Sequence, residues 1–138
     1  MFLENSFGKT LDITHRALDV AQLRNSVIAN NIANSDTPNF KRTTVSFESQ
    51  LKRALASEQR DSIPAALTNE RHIPFHRPME YRQVYPIRNL DYLTTSKNNG
   101  NNVDIEEESV ALIQNQLRYN LMVQSLQNQF SRVGLVLR

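Results

Sequence analysis

Cysteine is absent from the 138 residues. That excludes disulfides, thiolate metal ligands and a cysteine nucleophile, and it leaves the redox compartment open. Tryptophan is absent too, and Gly8, Gly100 and Gly134 are too scattered to build a Gly-rich phosphate loop. The longest unbroken apolar run, residues 110–113, is far short of the roughly 20 residues a membrane-spanning helix needs. The first residues, MFLENSFGKTLD, lack the basic-then-apolar profile of a cleaved secretory signal, so any route out of the cytoplasm is expected to be another one. Apolar residues make up 39%, below the usual globular share, and mean hydropathy is −0.52. One domain or one long hairpin fits this length; the core should be thin and stability should lean on partners.

Proline is missing from both ends. All five prolines lie between Pro38 and Pro86. A proline inside a helix costs roughly 3 kcal/mol, so the two ends can be helical and the middle cannot be one helix. This divides the chain into residues 1–34, 35–100 and 101–138. Their formal charges are 0, +3 and −1, so the basic excess belongs to the middle.

The first segment reads as a helix over about residues 6–33. Phe7, Leu11, Leu18, Ala21, Ile28 and Ile32 recur at helical spacing, with Thr14 and Asn25 filling two gaps. Ile13, Ala17, Val20 and Val27 form a neighbouring stripe. Asn34 to Thr37 are turn formers, and Pro38 biases Thr37 away from helical geometry. The last segment carries Leu112, Gln116, Tyr119, Val123, Leu126, Phe130, Val133 and Leu137 at alternating steps of four and three. That is a 3.5-residue repeat. Val110, Ile113, Leu117 and Leu121 are expected to widen its face. Asp104 is the expected N-cap, with Glu107 as its reciprocal partner and Glu106 to Glu108 matching the positive end of the helix dipole.

The middle lacks sustained periodicity. Phe47, Leu51 and Leu55, with Lys52 and Arg53, predict one short amphipathic helix, and short strands fit around residues 80–87. Much of this composition suits a segment that a partner orders. The predicted fold class is therefore all-α: long terminal helices pairing as a coiled-coil-like hairpin, around an irregular middle holding a short helix and short β-strands.

Catalytic and ligand-binding readings find little support. His72 and His76 have helical metal-ligand spacing, but Pro74 breaks the face between them and no third ligand stands out. No strained nucleophile elbow surrounds any serine. Arg71, Arg77, Arg82 and Arg88 interleave with Phe75, Tyr81 and Tyr85, a pattern able to stack bases, yet a net charge of +2 is weak for a nucleic-acid binder. The expectation is no enzyme, no metal, no cofactor, no nucleic acid and no membrane insertion. A cytoplasmic helical adaptor or chaperone using the same seams remains a rival reading, with a nucleic-acid module as the weaker one.

The informative stretch is Ala29-Asn-Asn-Ile-Ala-Asn-Ser-Asp-Thr-Pro-Asn-Phe-Lys-Arg42. A polar helix stop explains Asn34 to Pro38, but not Asn30 and Asn31 inside the last turns, where Asn is a mediocre helix former. Asn30, Asn31 and Asn34 are expected to hydrogen-bond the partner helix or a next subunit. The pattern Asn30-Asn31-Ile32-Ala33-Asn34, then Thr37-Pro38, Phe40, Lys41 and Arg42, resembles the N-terminal signature of flagellar basal-body rod and hook proteins. Asn99-Gly-Asn-Asn-Val-Asp104 before an acidic helix start is similar to the segment preceding their C-terminal helix. The short length and the stretch over residues 67–73 look like the proximal members. Asn39 stands where many members have Gly, so it is expected to adopt a left-handed conformation.

The resemblance implies a structural subunit of the bacterial flagellar basal body, in the periplasmic rod. It would polymerise through its terminal helices into a drive shaft and leave the cell through the flagellar type III export apparatus. Implied partners are copies of itself, other rod proteins, and the MS-ring protein with its small rod adaptor. The seams Phe7, Leu11, Leu18, Ala21, Ile28, Ile32 and Leu112, Tyr119, Val123, Leu126, Phe130, Val133, Leu137 would be the assembly interface.

Overall fold

The structure, a computed structural model, describes residues 6–58, 68–72, 79–94 and 97–137. His76, Arg77, Phe75 and both ends of the 67–73 stretch lie outside them. The elements in order are helix α1 (Ser6–Ala33), strand β1 (Thr43–Ser46), helix α2 (Glu48–Glu58), a 3-10 turn (Tyr81–Gln83), strand β2 (Ile87–Leu90) and helix α3 (Ile105–Val136). They fall into two compact units, residues 1–45 with 88–138, and residues 46–87.

In the first unit α1 and α3 pack along each other. At 1.5 Å per residue they are about 42 and 48 Å long. The register is marked by Asn115, buried within α3, whose side-chain amide donates to Ala21 O at 2.8 Å. Asn31 reaches Glu108 from the far end of α1, so the two helices run antiparallel. Val20, Ala21, Val27, Ile28 and Val103 are the buried apolar side chains here. The core is thin, as the composition predicts.

Local chemistry sets the helix ends. Asn34 N–H donates to Asn30 O and Asn31 O, Ser35 N–H to Ile32 O, and Thr37 N–H to Asn34 O. The chain then turns through Asn39 at φ 59°, the left-handed conformation that its Asn tolerates. At the start of α3, Asp104 has extended backbone and its carboxylate accepts from Glu106 N–H and Glu107 N–H. Glu107 does not reach back to complete a capping box; its carboxylate goes to Arg42.

Two expectations are corrected. Val110, Ile113, Leu117 and Leu121 do not widen the seam: all four are exposed. At 100° per residue they lie roughly half a turn around α3 from Tyr119, Leu126 and Val133, which are half-buried. Phe130 and Leu137 are exposed as well. The register through Asn115 and Ala21 leaves the last turns of α3 level with the very start of α1, where Phe7, Gln129, Val133 and Leu137 border an open cleft of about 660 Å³. The fold is mainly helical with one small sheet, and the long terminal helices and the short strands of the prediction are present. The sheet is formed by β1 and β2, where the sequence suggested strands near residues 80–87. Four β-branched or small residues, Thr43 to Ser46, are too few to show a period of two.

The register of that sheet follows from its bonds. Asp91 N–H donates to Arg42 O at 2.9 Å, and Thr44 Oγ1 lies 3.5 Å from Asn89 O. Residue 42 thus faces 91 and 44 faces 89, which makes the pair antiparallel. Thr43, Val45, Arg88 and Leu90 then turn their main-chain groups outward.

The second unit has a small core of its own: Phe47, Ala54, Tyr81 and Val84 are buried. Ser57 Oγ accepts Met79 N–H at 2.8 Å, and Tyr81 N–H donates to Glu58 Oε1 at 3.3 Å. The predicted short helix is present as α2, and Arg82 stacks over the Tyr81 ring at 5.6 Å from its centroid. These described parts of the middle are packed within the chain, where the sequence suggested ordering by a partner.

Candidate functional site

Three loops meet where α1 stops and α3 starts. Asn31, 1% exposed, holds the outer edge of β1 with its side-chain amide: Oδ1 accepts Thr43 N–H at 3.1 Å and Nδ2 donates to Thr43 O at 2.8 Å. One side chain thereby supplies both bonds that a neighbouring strand would supply. The second Nδ2 hydrogen reaches Glu108 Oε2 at 3.2 Å. Further along β1, Arg24 donates to Val45 O at 3.4 Å. Side chains of α1 therefore satisfy Thr43 N–H, Thr43 O and Val45 O, outward-facing groups of β1.

Asn102 repairs the sheet where β1 and β2 part. Its Oδ1 accepts Arg42 N–H at 2.6 Å, and its Nδ2 donates to Asp91 O at 2.9 Å and to Thr94 Oγ1 at 3.0 Å. Asn101, fully buried, donates to Asn34 O and Thr37 O at 2.9 Å each, and its Oδ1 accepts Val103 N–H at 2.7 Å. It ties the end of α1 to the approach to α3. Gly100, at φ 79°, lies against Asn39: a Cβ there would sit 2.7 Å from Asn39 Oδ1. Asn39 N–H also donates to Asn99 O at 3.0 Å. Lys97 adds a bond from Nζ to Ser35 O at 2.8 Å.

The charged centre is Arg42 with Glu107 and Glu108. Glu108 is 1% exposed and accepts from Arg42 Nε, while Glu107 accepts from Arg42 at 2.9 Å. Burial works against the Arg42 charge, but the hydrogen bonds and charges of Glu108 and Glu107 outweigh it and hold the guanidinium pKa above its ordinary value. Asp91 closes the neighbouring turn. The Thr94 hydroxyl, helped by the Thr94 and Leu93 N–H groups, holds its carboxyl below the ordinary 3.8.

The structure brings together Asn31, Arg42, Asp104 and Glu107 from the sequence-derived set. Asn34 instead bonds back to Asn30 O and Oδ1 at 2.9 and 2.7 Å, a local helix stop. Ile32, Phe40 and Lys41 are half-buried, whereas Ala33, Thr37 and Pro38 are exposed. Asn31 reaches the partner helix, as the sequence suggested, and both hydrogens of its amide are spent within the chain. Sequence reasoning gave Thr43 no role, read Glu108 only as part of an acidic helix start, and read Asn101 and Asn102 only as part of a resemblance. The Asn-Gly-Asn-Asn run carried a signal, since consecutive amides beside a glycine turn are suited to satisfying loop backbone.

Nothing in this arrangement performs covalent chemistry. Among the described residues no three His, Asp or Glu side chains cluster to hold a metal. No described helix is long and apolar enough to cross a membrane. The site is a mechanical joint that fixes both long helices to one sheet.

The sequence model of the flagella basal body rod protein family matches residues 11–41, all but the first turn of α1 and the turn that enters the joint. The chain is 44% identical to the flagellar basal body rod protein FlgB of Borreliella burgdorferi over 134 residues, covering 97% of this chain and 99% of that one. It is 45% identical to FlgB of Borrelia hermsii over the same shares, and 33% identical to FlgB of Bacillus subtilis over 95% of each chain. With identity at this level over nearly the whole of both chains, the chain belongs to the FlgB family of flagellar basal body rod proteins.

Proposed function

We propose that this chain is a non-catalytic structural subunit of the proximal rod of the bacterial flagellum. Its α1 and α3 pair as a coiled-coil-like hairpin and pack side by side with neighbouring subunits to form the torque-transmitting shaft. The observation that carries this reading is the exposed apolar stripe Val110, Ile113, Leu117 and Leu121 on α3, opposite the face that packs on α1. A protein that worked alone would gain nothing from such a stripe, and burying it stabilises by roughly 25 cal/mol per Å² removed from water. Repeated head-to-tail contacts whose rotation does not close give a helical tube. The partners in this reading are further copies of the chain, other rod proteins, and the MS-ring protein with its small adaptor. The route is the flagellar type III export apparatus to the periplasm, without a cleaved signal peptide.

The test is complementation. Cells lacking the chain should be non-motile and build no rod, and the wild-type sequence should restore both. The double variant Ile113→Asp, Leu117→Asp should fold with unchanged helicity yet fail to restore rods. Restored motility with this variant would refute the stripe as the assembly face. A rod that forms normally without the chain would refute the function itself.

A further inference from the structure

The two strands of the sheet have unlike edges. The outer edge of β1 is closed by Asn31 and Arg24 from α1. The outer edge of β2 has no such cover: all four of its residues are exposed, and none of its described neighbours caps Arg88 or Leu90. Natural proteins protect exposed edges with charge, bulges or a covering element, and an edge left open offers main-chain bonds to an added strand. Apolar exposure rises along the chain past the end of β2: Leu90 is 43%, Tyr92 72% and Leu93 96% exposed.

Across the sheet face next to this strand lies an open groove of about 400 Å³, bounded on its far side by Val27, Asn30 and Asn31 of α1. By the sheet register Lys41, Thr43, Arg88, Leu90 and Tyr92 share one face, and all five line it. Two of them are cations, and no carboxylate lines the groove. Among the described residues Lys41 Nζ bonds the neutral Thr94 O at 3.2 Å and its charge also helps hold the Asp91 carboxyl down, while Arg88 has no acidic partner. The nearby Asp91 carboxylate is engaged by Leu93 N–H, Thr94 N–H and the Thr94 hydroxyl. An occupant must therefore be extended, to pair with β2, and must carry carboxylates, to meet Lys41 and Arg88.

We propose that the open edge of β2 receives an extended, carboxylate-bearing segment of a neighbouring rod subunit as a third strand, with Lys41 and Arg88 reading its acidic side chains. This rests on the rod reading above, and it assigns a second contact, separate from the helix stripe.

The test uses the full chain in cells. Leu90→Pro removes one outward-facing N–H from β2 without removing a bond to β1, a position where proline is tolerated. Incorporation into rods should fall at least tenfold while the helicity and unfolding midpoint of the purified chain stay unchanged. Leu90→Thr, which keeps the N–H, should incorporate normally. Lys41→Glu with Arg88→Glu, which leaves all strand bonds intact, should also lower incorporation tenfold. It keeps the idea testable if the proline variant is unstable. A photo-crosslinker at Tyr92 in otherwise wild-type rods should capture an extended acidic segment. Normal incorporation of both the charge-reversed and the proline variant, or a crosslink to a helix face or a basic segment, would overturn the proposal. Wild-type chain missing from rods would instead refute the function; wild-type present alongside indifferent variants would refute this contact alone.

Discussion

Asn31, Asn101 and Asn102 stand in for main-chain amides at the joint, and their value depends on what they leave behind when removed. Judged by helix propensity alone, Asn31→Ala should stabilise α1 by up to roughly 0.7 kcal/mol. The structure predicts the opposite sign, because Thr43 N–H, Thr43 O and Glu108 each lose a buried partner, at about 1–3 kcal/mol for each group left unpaired. Asn25, exposed on the same helix, is the control: Asn25→Ala should be neutral or slightly stabilising. Denaturant unfolding of the two purified variants reads the difference. Arg42→Ala should cost about 3 kcal/mol, since it strands the buried Glu108 carboxylate while Arg42 itself keeps some exposure.

The pH dependence of the joint follows from the same groups. The Arg42 pKa is raised, so its contribution is complete below the ordinary guanidinium value and is lost only as pH climbs through the still higher folded value. The ion pair should therefore show no loss on the basic side of neutrality. The Asp91 pKa is lowered, so the stability it adds is present above 3.8 and disappears as pH falls through the folded value. Thr94→Val should move the Asp91 titration back up toward 3.8, as followed by NMR of its carboxyl carbon. An unmoved titration would show that the hydroxyl is not its main partner.

At the scale of elements, the two faces of α3 should respond differently to the same chemistry. Leu126 is half-buried on the side that packs on α1, and Leu117 is exposed on the other side. Leu126→Asp should lower the stability of the isolated chain by several kcal/mol, through an unpaired charge in a packed face. Leu117→Asp should leave that stability within about 0.5 kcal/mol, as for surface changes generally, and should act only on assembly. Gln127→Ala should do neither. Gly134, in α3, has open space around an added Cβ, so Gly134→Ala should stabilise by about 0.5–1 kcal/mol. Gly100→Ala should destabilise, because φ 79° and the Asn39 contact leave no room. Thermal unfolding of both variants separates a helical glycine from a structural one.

The elements were unequally legible in the sequence. The bounds of α1 and α3 could be read because period, caps and the proline turn all agree there. The short helix α2 was visible from Phe47, Leu51 and Leu55. The pairing of β1 with β2 was not, because four-residue strands show no period and this one is closed by side chains from a distant helix. The doubled stripe on α3 was misread for a related reason. Steps of three and four describe any face of a helix, and only the α1 contact shows which face is inside. At the joint, the asparagines announced themselves by number, but the partners that tie its two halves together lie 60 to 77 residues away and could not be inferred from local spacing.

As a whole molecule, the first unit is a thin-cored hairpin held in register by amides and one buried ion pair rather than by a large apolar interior. That economy suits a subunit whose remaining apolar surface is completed by neighbours. In solution, amide hydrogen exchange should therefore be slowest around the joint and fastest in the last turns of α3, where Phe130, Leu135 and Leu137 are exposed. The central claim is that the chain enters the rod with its asparagine joint closed internally and its α3 stripe facing another subunit. Subunit-resolved imaging of purified basal bodies tests it most directly. The account predicts the chain in the proximal rod, Asn31 bonded to Thr43 and Glu108 of its own chain, and Val110, Ile113, Leu117 and Leu121 buried against a neighbour. A rod in which that stripe faces open solvent, or in which Asn31 bonds across subunits, would contradict it.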